Sequence, residues 1–231
     1  MAHRREPSLR RHVAFLILQL LKYRKEMKVL LINGSPREHG NTFRALSEVA
    51  QTLNAEGVDT EIISIGKQAV QGCIACAMCG RTGRCTFHDD LYHRVLRSIK
   101  EGIDGLIIGS PVYYGGPNGS LCALLDRVFY SLGADLRFKP GASVVVCRRG
   151  GASAAFDRLN KYFTILNMPV VSSQYWNMAY GQTPGQVEQD EEGMQTMRTL
   201  GRNMAWMLQR LNIRQDGHPQ LEQPLRTNFI R

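Results

Sequence analysis

A doubly wound α/β domain is what this sequence predicts, on three observations. Short strand-length apolar runs alternate with longer runs of helical period. The strand-like runs are nearly continuous in Val, Ile and Leu, and turns rich in Gly, Pro and polar residues follow them. Continuous apolar strands signal a parallel sheet buried on both faces by helices. In order, KVLLIN at 28–33 reads as the first strand. The stretch from Thr42 to Glu56, with apolar residues three and four apart, reads as the first helix, and TEIISI at 60–65 as the second strand. GLIIGS at 105–110, a helix from Asn118 to Leu132, SVVVC at 143–147 and a helix from Ala152 to about Leu166 come next. PVVSS at 169–173 is expected as the fifth strand, and an amphipathic run from about Val187 to Leu211 closes the pattern.

With 231 residues, 43% of them hydrophobic and 21% charged, the chain has the composition of one globular domain. The expected division is a basic N-terminal extension at 1–26, a domain at 27–212 and a C-terminal tail at 213–231. The formal charge of +9 is unevenly placed, because residues 1–26 hold seven Lys/Arg against Glu6 and Glu26, which is +5. The rest is spread thinly, without a basic helix or zinc-finger spacing, which argues against a nucleic-acid partner. The apolar run Val13–Leu21 behind four arginines has the outline of a secretory signal. However, Lys22-Tyr23-Arg24-Lys25 follows it in place of small residues, and about nine apolar positions are too few to span a bilayer. Met27 stands directly before the first strand, so the leader is read as a dispensable extension or a start-site artefact. An accessory helix and a membrane-surface contact are the alternatives. The six cysteines, four of them closely spaced, point to a reducing cytoplasmic compartment and to metal or redox chemistry rather than disulfides.

In a doubly wound sheet, ligands sit beyond the carboxyl ends of the strands, so the loops after strands carry the chemistry. Gly34-Ser35-Pro36-Arg37-Glu38-His39-Gly40-Asn41-Thr42 leaves a strand and enters a helix, where free N–H groups and the helix dipole favour an anion. Neither GxxxxGK[ST] nor GxGxxG is present. The hydroxyls of Ser35 and Thr42, the Asn41 amide and the Arg37 guanidinium suit one terminal phosphate monoester held without magnesium. Asn41 or Thr42 as a plain helix cap is the alternative.

This loop resembles the phosphate loop of the flavodoxin-like NADPH-dependent FMN reductase family. The resemblance implies a five-stranded sheet of order 2-1-3-4-5, with FMN phosphate held by Ser35, Arg37, Asn41 and Thr42. Ser110-Pro111-Val112-Tyr113-Tyr114-Gly115-Gly116-Pro117-Asn118 is similar to the family's SPVY-x-G loop. It implies that Pro111, Val112, Tyr113, Tyr114 and Gly115 lie along the isoalloxazine ring; a proline-bounded turn whose tyrosines only pack is the other reading. Leu124-Leu125-Asp126-Arg127 resembles the family's helix signature and is read as structural, with Cys122 where the family often has lysine. Arg148 and Gly150, in Arg148-Arg149-Gly150-Gly151 after the SVVVC strand, are candidates to stabilise the reduced ring near N1. A solvated turn is the alternative. The resemblance runs from about Lys28 to Leu211, through Asp190-Glu191-Glu192-Gly193-Met194-Gln195-Thr196.

Cys73, Cys76, Cys79 and Cys85 give C-x2-C-x2-C-x5-C, four cysteines within 13 residues. Zinc sites usually pair two CxxC turns across a longer gap, whereas three cysteines at three-residue intervals resemble the ferredoxin run around an iron–sulfur cluster. The run also resembles the iron–sulfur flavoproteins, a branch of the same superfamily, and so implies a [4Fe–4S] cluster. Unliganded redox-active thiols and zinc are the alternatives. Cys122 and Cys147 are read as core residues. His88 and Ser173-Gln174-Tyr175-Trp176 are read as packing and surface, or as the rim of a substrate site.

The resemblance implies an FMN-dependent oxidoreductase taking a hydride from NAD(P)H and passing electrons to a small-molecule acceptor such as a quinone, a free flavin or a nitro compound. The alternative is an electron carrier in which a [4Fe–4S] cluster and FMN exchange electrons with a ferredoxin-like partner. A homodimer is implied in either case.

Overall fold

The computed structural model describes residues 26–213, 217–223, 225 and 227. The leader's reading falls on residues 1–26, of which all but Glu26 lie outside the described residues. The sheet is built from β1 (Met27–Asn33), β2 (Val58–Ser64), β3 (Gly105–Tyr113), β5 (Gly141–Cys147) and β6 (Met178–Tyr180), all parallel, in the order β2-β1-β3-β5-β6. Counting only these five, the order is the 2-1-3-4-5 of a flavodoxin-like sheet. The sixth strand, β4 (Gly116–Pro117), is a two-residue antiparallel addition to the end of β3 that the sequence pattern did not announce.

Successive β1 side chains feed opposite faces, as the two-residue strand period requires. Leu30 and Ile32 join a core with Leu91, Val95, Leu124, Leu159 and Phe163, beneath α3 (Asp90–Gly102), α4 (Gly119–Ser131) and α6 (Ala152–Thr164). Val29 and Leu31 join the other core with Leu46, Val49, Leu53, Met197, Leu200 and Met204, beneath α1 (Asn41–Ala55) and α7 (Glu191–Ile213). The short α2 (Cys79–Thr82) and α5 (Gly133–Leu136) complete the helices, with a single 3-10 turn at Gln186–Gln189. The long amphipathic run therefore divides at Asp190 rather than continuing from Val187.

The fifth strand is displaced from its expected position. Of PVVSS, only Val170 makes an isolated parallel bridge, to Gly141, while Val171 N–H donates to the Gly141 carbonyl at 2.8 Å. Residues 172–177 then loop out, with Ser173 Oγ donating to the Tyr175 carbonyl, and the chain rejoins β5 at Val145–Cys147 through β6. Proline lacks an N–H for the ladder, and Ser173 Oγ bonds the Tyr175 backbone locally, so neither end of PVVSS sustains a strand. Helix α3 was also not anticipated. Its buried Leu91, Tyr92, Val95, Ser98 and Ile99 follow helical spacing, and Asp89 Oδ1 accepts from Tyr92 N–H at 2.9 Å as its cap.

Every described strand lies between Met27 and Tyr180. Deleting residues 1–26 is therefore expected to leave flavin content and the far-ultraviolet circular dichroism spectrum unchanged; a truncated chain that is insoluble or free of flavin would contradict this.

Candidate functional site

The first loop is locked before any ligand arrives. Asn33, fully buried at the end of β1, accepts from Ser35 N–H at 3.1 Å through Oδ1 and donates to Ser64 Oγ at 3.0 Å. Gly34 N–H donates to the Gly109 carbonyl at 2.8 Å, tying the turn to β3. A side-chain carbon at Gly34 would lie 2.4 Å from Leu121 Cδ2 and 2.7 Å from the Gly109 oxygen, so this close approach requires glycine. Ser35 is buried and its Oγ accepts from Arg37 N–H at 3.1 Å.

Helix α1 then starts on Gly40 in extended conformation, with no side-chain cap and no acidic residue in its first turn. Its first N–H groups are thus left for a ligand to satisfy, at the positive end of the dipole. Thr42 is buried in that first turn, and Arg37 is exposed at the loop tip without a side-chain partner among the described residues. The Asn41 side chain does something else. Its Nδ2 donates to the Thr183 carbonyl at 2.9 Å and its Oδ1 accepts from Val187 N–H at 3.3 Å. Asn41 therefore braces the 181–187 segment against the loop, and its backbone N–H is what it leaves for an anion. Arg44, one turn on, reinforces the brace by pairing with Glu188 at 2.5 Å and Glu48 at 3.0 Å. Burial works against the charge on Glu48, but hydrogen bonds from Arg198 and Arg44 outweigh it and hold its carboxyl below the usual range.

The second loop is a β-hairpin. Val112 pairs with Pro117 and Tyr113 with Gly116, and the two turn residues, Tyr114 and Gly115, have φ of +50° and +78°. Two successive positive φ values mark the tight hairpin turn that matches strand twist. Tyr114 is fully exposed and Tyr113 half-exposed, while Pro111 and Val112 are partly buried. Ser110, buried beneath them, accepts from Asn118 N–H at 2.9 Å, and Asn118 caps α4 through Ser120 N–H at 2.8 Å.

The third loop abuts the second. Gly151 has a φ of +87°, and a side-chain carbon there would lie 2.8 Å from Gly115 Cα and 3.0 Å from Val112 Cγ1. Gly150 is open, and Arg148 is exposed beside a depression shared with Tyr180, Gly181, Gln182 and Asp190. Helix α6 begins here, again without a side-chain cap or first-turn acid. These contacts place the three loops at the carboxyl edge of β1, β3 and β5.

The four cysteines meet in a separate hollow, which they line together with Ile74, Ala77, Phe87, Arg127, Tyr130 and others. Ala75 and Ala77 both sit at positive φ, +54° and +56°, an uncommon conformation for a residue with a side chain. Ala75 N–H already donates to Cys73 Sγ at 3.5 Å. No group of three or more His, Cys, Asp or Glu side chains is arranged around one point for a metal ion among the described residues. Four thiols lining one hollow are nonetheless the donor set that a [4Fe–4S] cluster takes.

Arg127, part of the LLDR signature read as structural, stands behind this hollow and is only 1% exposed. Its Nε donates to Cys85 Sγ at 3.3 Å, Nη1 to the Gln71 carbonyl at 3.3 Å, and Nη2 to the Phe87 carbonyl at 3.4 Å and to Asp89 Oδ2. Burial disfavours the charged guanidinium, yet the hydrogen bonds to Cys85 and Asp89 outweigh it and raise its pKa. Tyr92, buried in the core, donates or accepts at both ends of the same unit: its hydroxyl accepts from Cys85 N–H at 2.9 Å and lies 2.7 Å from Ser131 Oγ.

The remaining cysteines match their reading in part. Cys147 is buried, whereas Cys122 is half-buried on α4, and burial raises both thiol pKa values. His88 is exposed, 3.3 Å from His93 across stacked rings, and Tyr175 and Trp176 are exposed.

A 2-1-3-4-5 parallel sheet with an uncapped, glycine-entered helix after its first strand defines a flavodoxin-like domain. The chain belongs to the NADPH-dependent FMN reductase family, whose model matches residues 27–183. An iron–sulfur flavoprotein of Methanocaldococcus jannaschii is 37% identical over 187 residues, 78% of this chain and 96% of that one. One from Methanosarcina thermophila is 28% identical, covering 82% of this chain and 100% of its own. Among solved structures, a flavodoxin-like WrbA-type protein of Agrobacterium tumefaciens superposes with a TM-score of 0.57 at 17% identity, covering 80% of this chain and 99% of that one, which shows the shared fold. No described helix is long and apolar enough to cross a membrane.

Proposed function

We propose that this protein is an iron–sulfur flavoprotein, an oxidoreductase holding FMN at the three sheet-edge loops and a [4Fe–4S] cluster in the cysteine hollow. The observation that carries it is the convergence of Cys73, Cys76, Cys79 and Cys85 on one hollow backed by a buried cation. The names of the two relatives support it. Bound FMN would accept electrons in pairs and release them singly, and a cluster would carry one at a time.

The chain's own groups divide the remaining work. The N–H groups of α1, with Ser35, Thr42 and Arg37, bind one phosphate monoester, which selects FMN over a cofactor with a second phosphate. Pro111, Val112, Tyr113, Tyr114 and Gly115 form a wall for a flat ring, and Gly151 lets the Arg148–Gly150 turn approach that wall. Arg148 and the N–H groups at the start of α6 stabilise negative charge where the reduced ring carries it. Residues 27–212 form the working domain, and two copies associate as a homodimer.

A second reading, an NAD(P)H-dependent reductase of a quinone, flavin, nitro compound or similar acceptor, is favoured by the open depression between Arg148 and Tyr180 at the ring's expected rim. Under argon, stopped-flow mixing with NADPH or NADH separates the two. Bleaching of the flavin within seconds supports the reductase; reduction only by a low-potential ferredoxin-like protein supports the electron carrier. Sedimentation velocity is expected to show a dimer, and a fully active monomer would reject that assembly.

A further inference from the structure

The four thiolates of a cluster would bring negative charge to a hollow whose rear wall is a side chain the helix signature alone marks as structural. Arg127 arrives from α4, some 42 residues beyond Cys85, and is sealed from water. One N–H faces the Cys85 sulfur, and two others hold the Gln71 and Phe87 carbonyls, which bracket the cysteine segment on both sides. The guanidinium lies 4.8 Å from the Tyr92 ring centroid and 5.4 Å from that of Phe87, so aromatic faces, not solvent, surround it. Its one carboxylate partner, Asp89, is 38% exposed in its side chain. Water screens that carboxylate more than the guanidinium, so the charge of Arg127 is felt most strongly on the sulfur side.

We propose that Arg127 is the positioning residue of the cysteine site, which sets the cluster's reduction potential through its hydrogen bond to Cys85 and fixes both ends of the ligand loop. This rests on the cluster reading above. Reduction adds one electron from an external one-electron donor and no atom changes place. The more negative state gains more from a buried cation and a hydrogen bond to sulfur, so Arg127 raises the potential. Asp89 opposes that effect by partly neutralising the cation.

The two variants Arg127→Met and Asp89→Asn therefore shift the potential in opposite directions. Asparagine keeps the Oδ1 that accepts from Tyr92 N–H, so the cap of α3 survives. Anaerobically prepared wild type, Arg127→Met, Arg127→Lys and Asp89→Asn are titrated with dithionite against mediator dyes, following the cluster's electron paramagnetic resonance signal, with iron and FMN measured on the same samples. Arg127→Met is expected to make reduction about 10- to 100-fold less favourable, the range for a lost hydrogen bond to a charged group, Arg127→Lys to fall between it and wild type, and Asp89→Asn to make reduction easier. FMN content stays at the wild-type level in all four. If Arg127→Met loses its iron, the sign of the Asp89→Asn and Arg127→Lys shifts decides. Iron-replete variants with wild-type potentials, or Asp89→Asn shifting the same way as Arg127→Lys, overturn the role of Arg127 alone. A wild type that takes up no iron overturns the cluster reading and this proposal with it.

Discussion

Serine at any one of Cys73, Cys76, Cys79 or Cys85 is expected to remove most of the iron from anaerobically reconstituted protein and to leave FMN bound. The wild type is expected to hold about four iron and four sulfide per chain, with broad absorption near 400 nm beneath the flavin bands, as a [4Fe–4S] site on four thiolates requires. Serine is nearly isosteric, but its hydroxyl is a hard, weakly acidic ligand that replaces a soft thiolate poorly. The cysteine segment lies between β2 and α3, whereas the flavin loops follow β1, β3 and β5, so losing one cofactor leaves the other's contacts in place. Cys122→Ser is the control, because Cys122 sits on α4 and does not line the hollow. Iron content is read by colorimetric assay and FMN by fluorescence after acid release. Wild-type protein that contains only FMN when iron and sulfide are supplied without oxygen would reject the cluster and leave a flavin reductase.

How much of this was legible in the chain follows from which interactions are local. Strands β1, β3 and β5 are written as nearly continuous apolar runs because both sheet faces are covered, so their short length and flanking glycines mark them as strands. The turn after β1 is legible because a glycine-bearing turn that leads into a helix is a property of adjacent residues. The fifth strand was misplaced because PVVSS has strand composition, whereas how far its pairing runs, a single bridge to Gly141, depends on β5, a partner nearly 30 residues away.

Arg127 and Asn41 show the same limit within the site. Nothing near Arg127 in sequence separates a surface arginine of a helix from one that reaches Cys85, since what distinguishes them is burial and a contact 42 residues apart. A signal that could have found it is the acidic pair Asp89-Asp90, which stands at the start of α3 and supplies the partner of that arginine. Asn41 looked like a phosphate ligand because it stands at the first position of α1; its amide instead reaches residues 183 and 187, more than 140 positions on.

Replacing Arg37 and Thr42 together by alanine is expected to weaken FMN binding by about 2–4 kcal/mol, roughly 30- to 1000-fold in Kd. Charge-assisted hydrogen bonds contribute about 1.5–3 kcal/mol each, and two bonds to one phosphate are not fully additive. The two side chains should fail differently. Arg37 is exposed and without a described partner, so its loss removes attraction for the dianion with little effect on the fold, and that share of the affinity should shrink as salt rises. Thr42 is buried in the first turn, so its loss removes a hydroxyl donor at fixed geometry and should be insensitive to salt. The loop itself should survive both changes, because Asn33, Gly34 and Ser35 hold it through bonds that involve neither residue. Asn41→Ala tests the brace separately: it should weaken FMN by less than the double change while loosening the 181–187 segment, seen as faster amide exchange there. Titration of the flavin-free protein with FMN at two ionic strengths, followed by fluorescence quenching, reads the affinity of each variant. Affinity unchanged in the double variant would take the phosphate away from this turn.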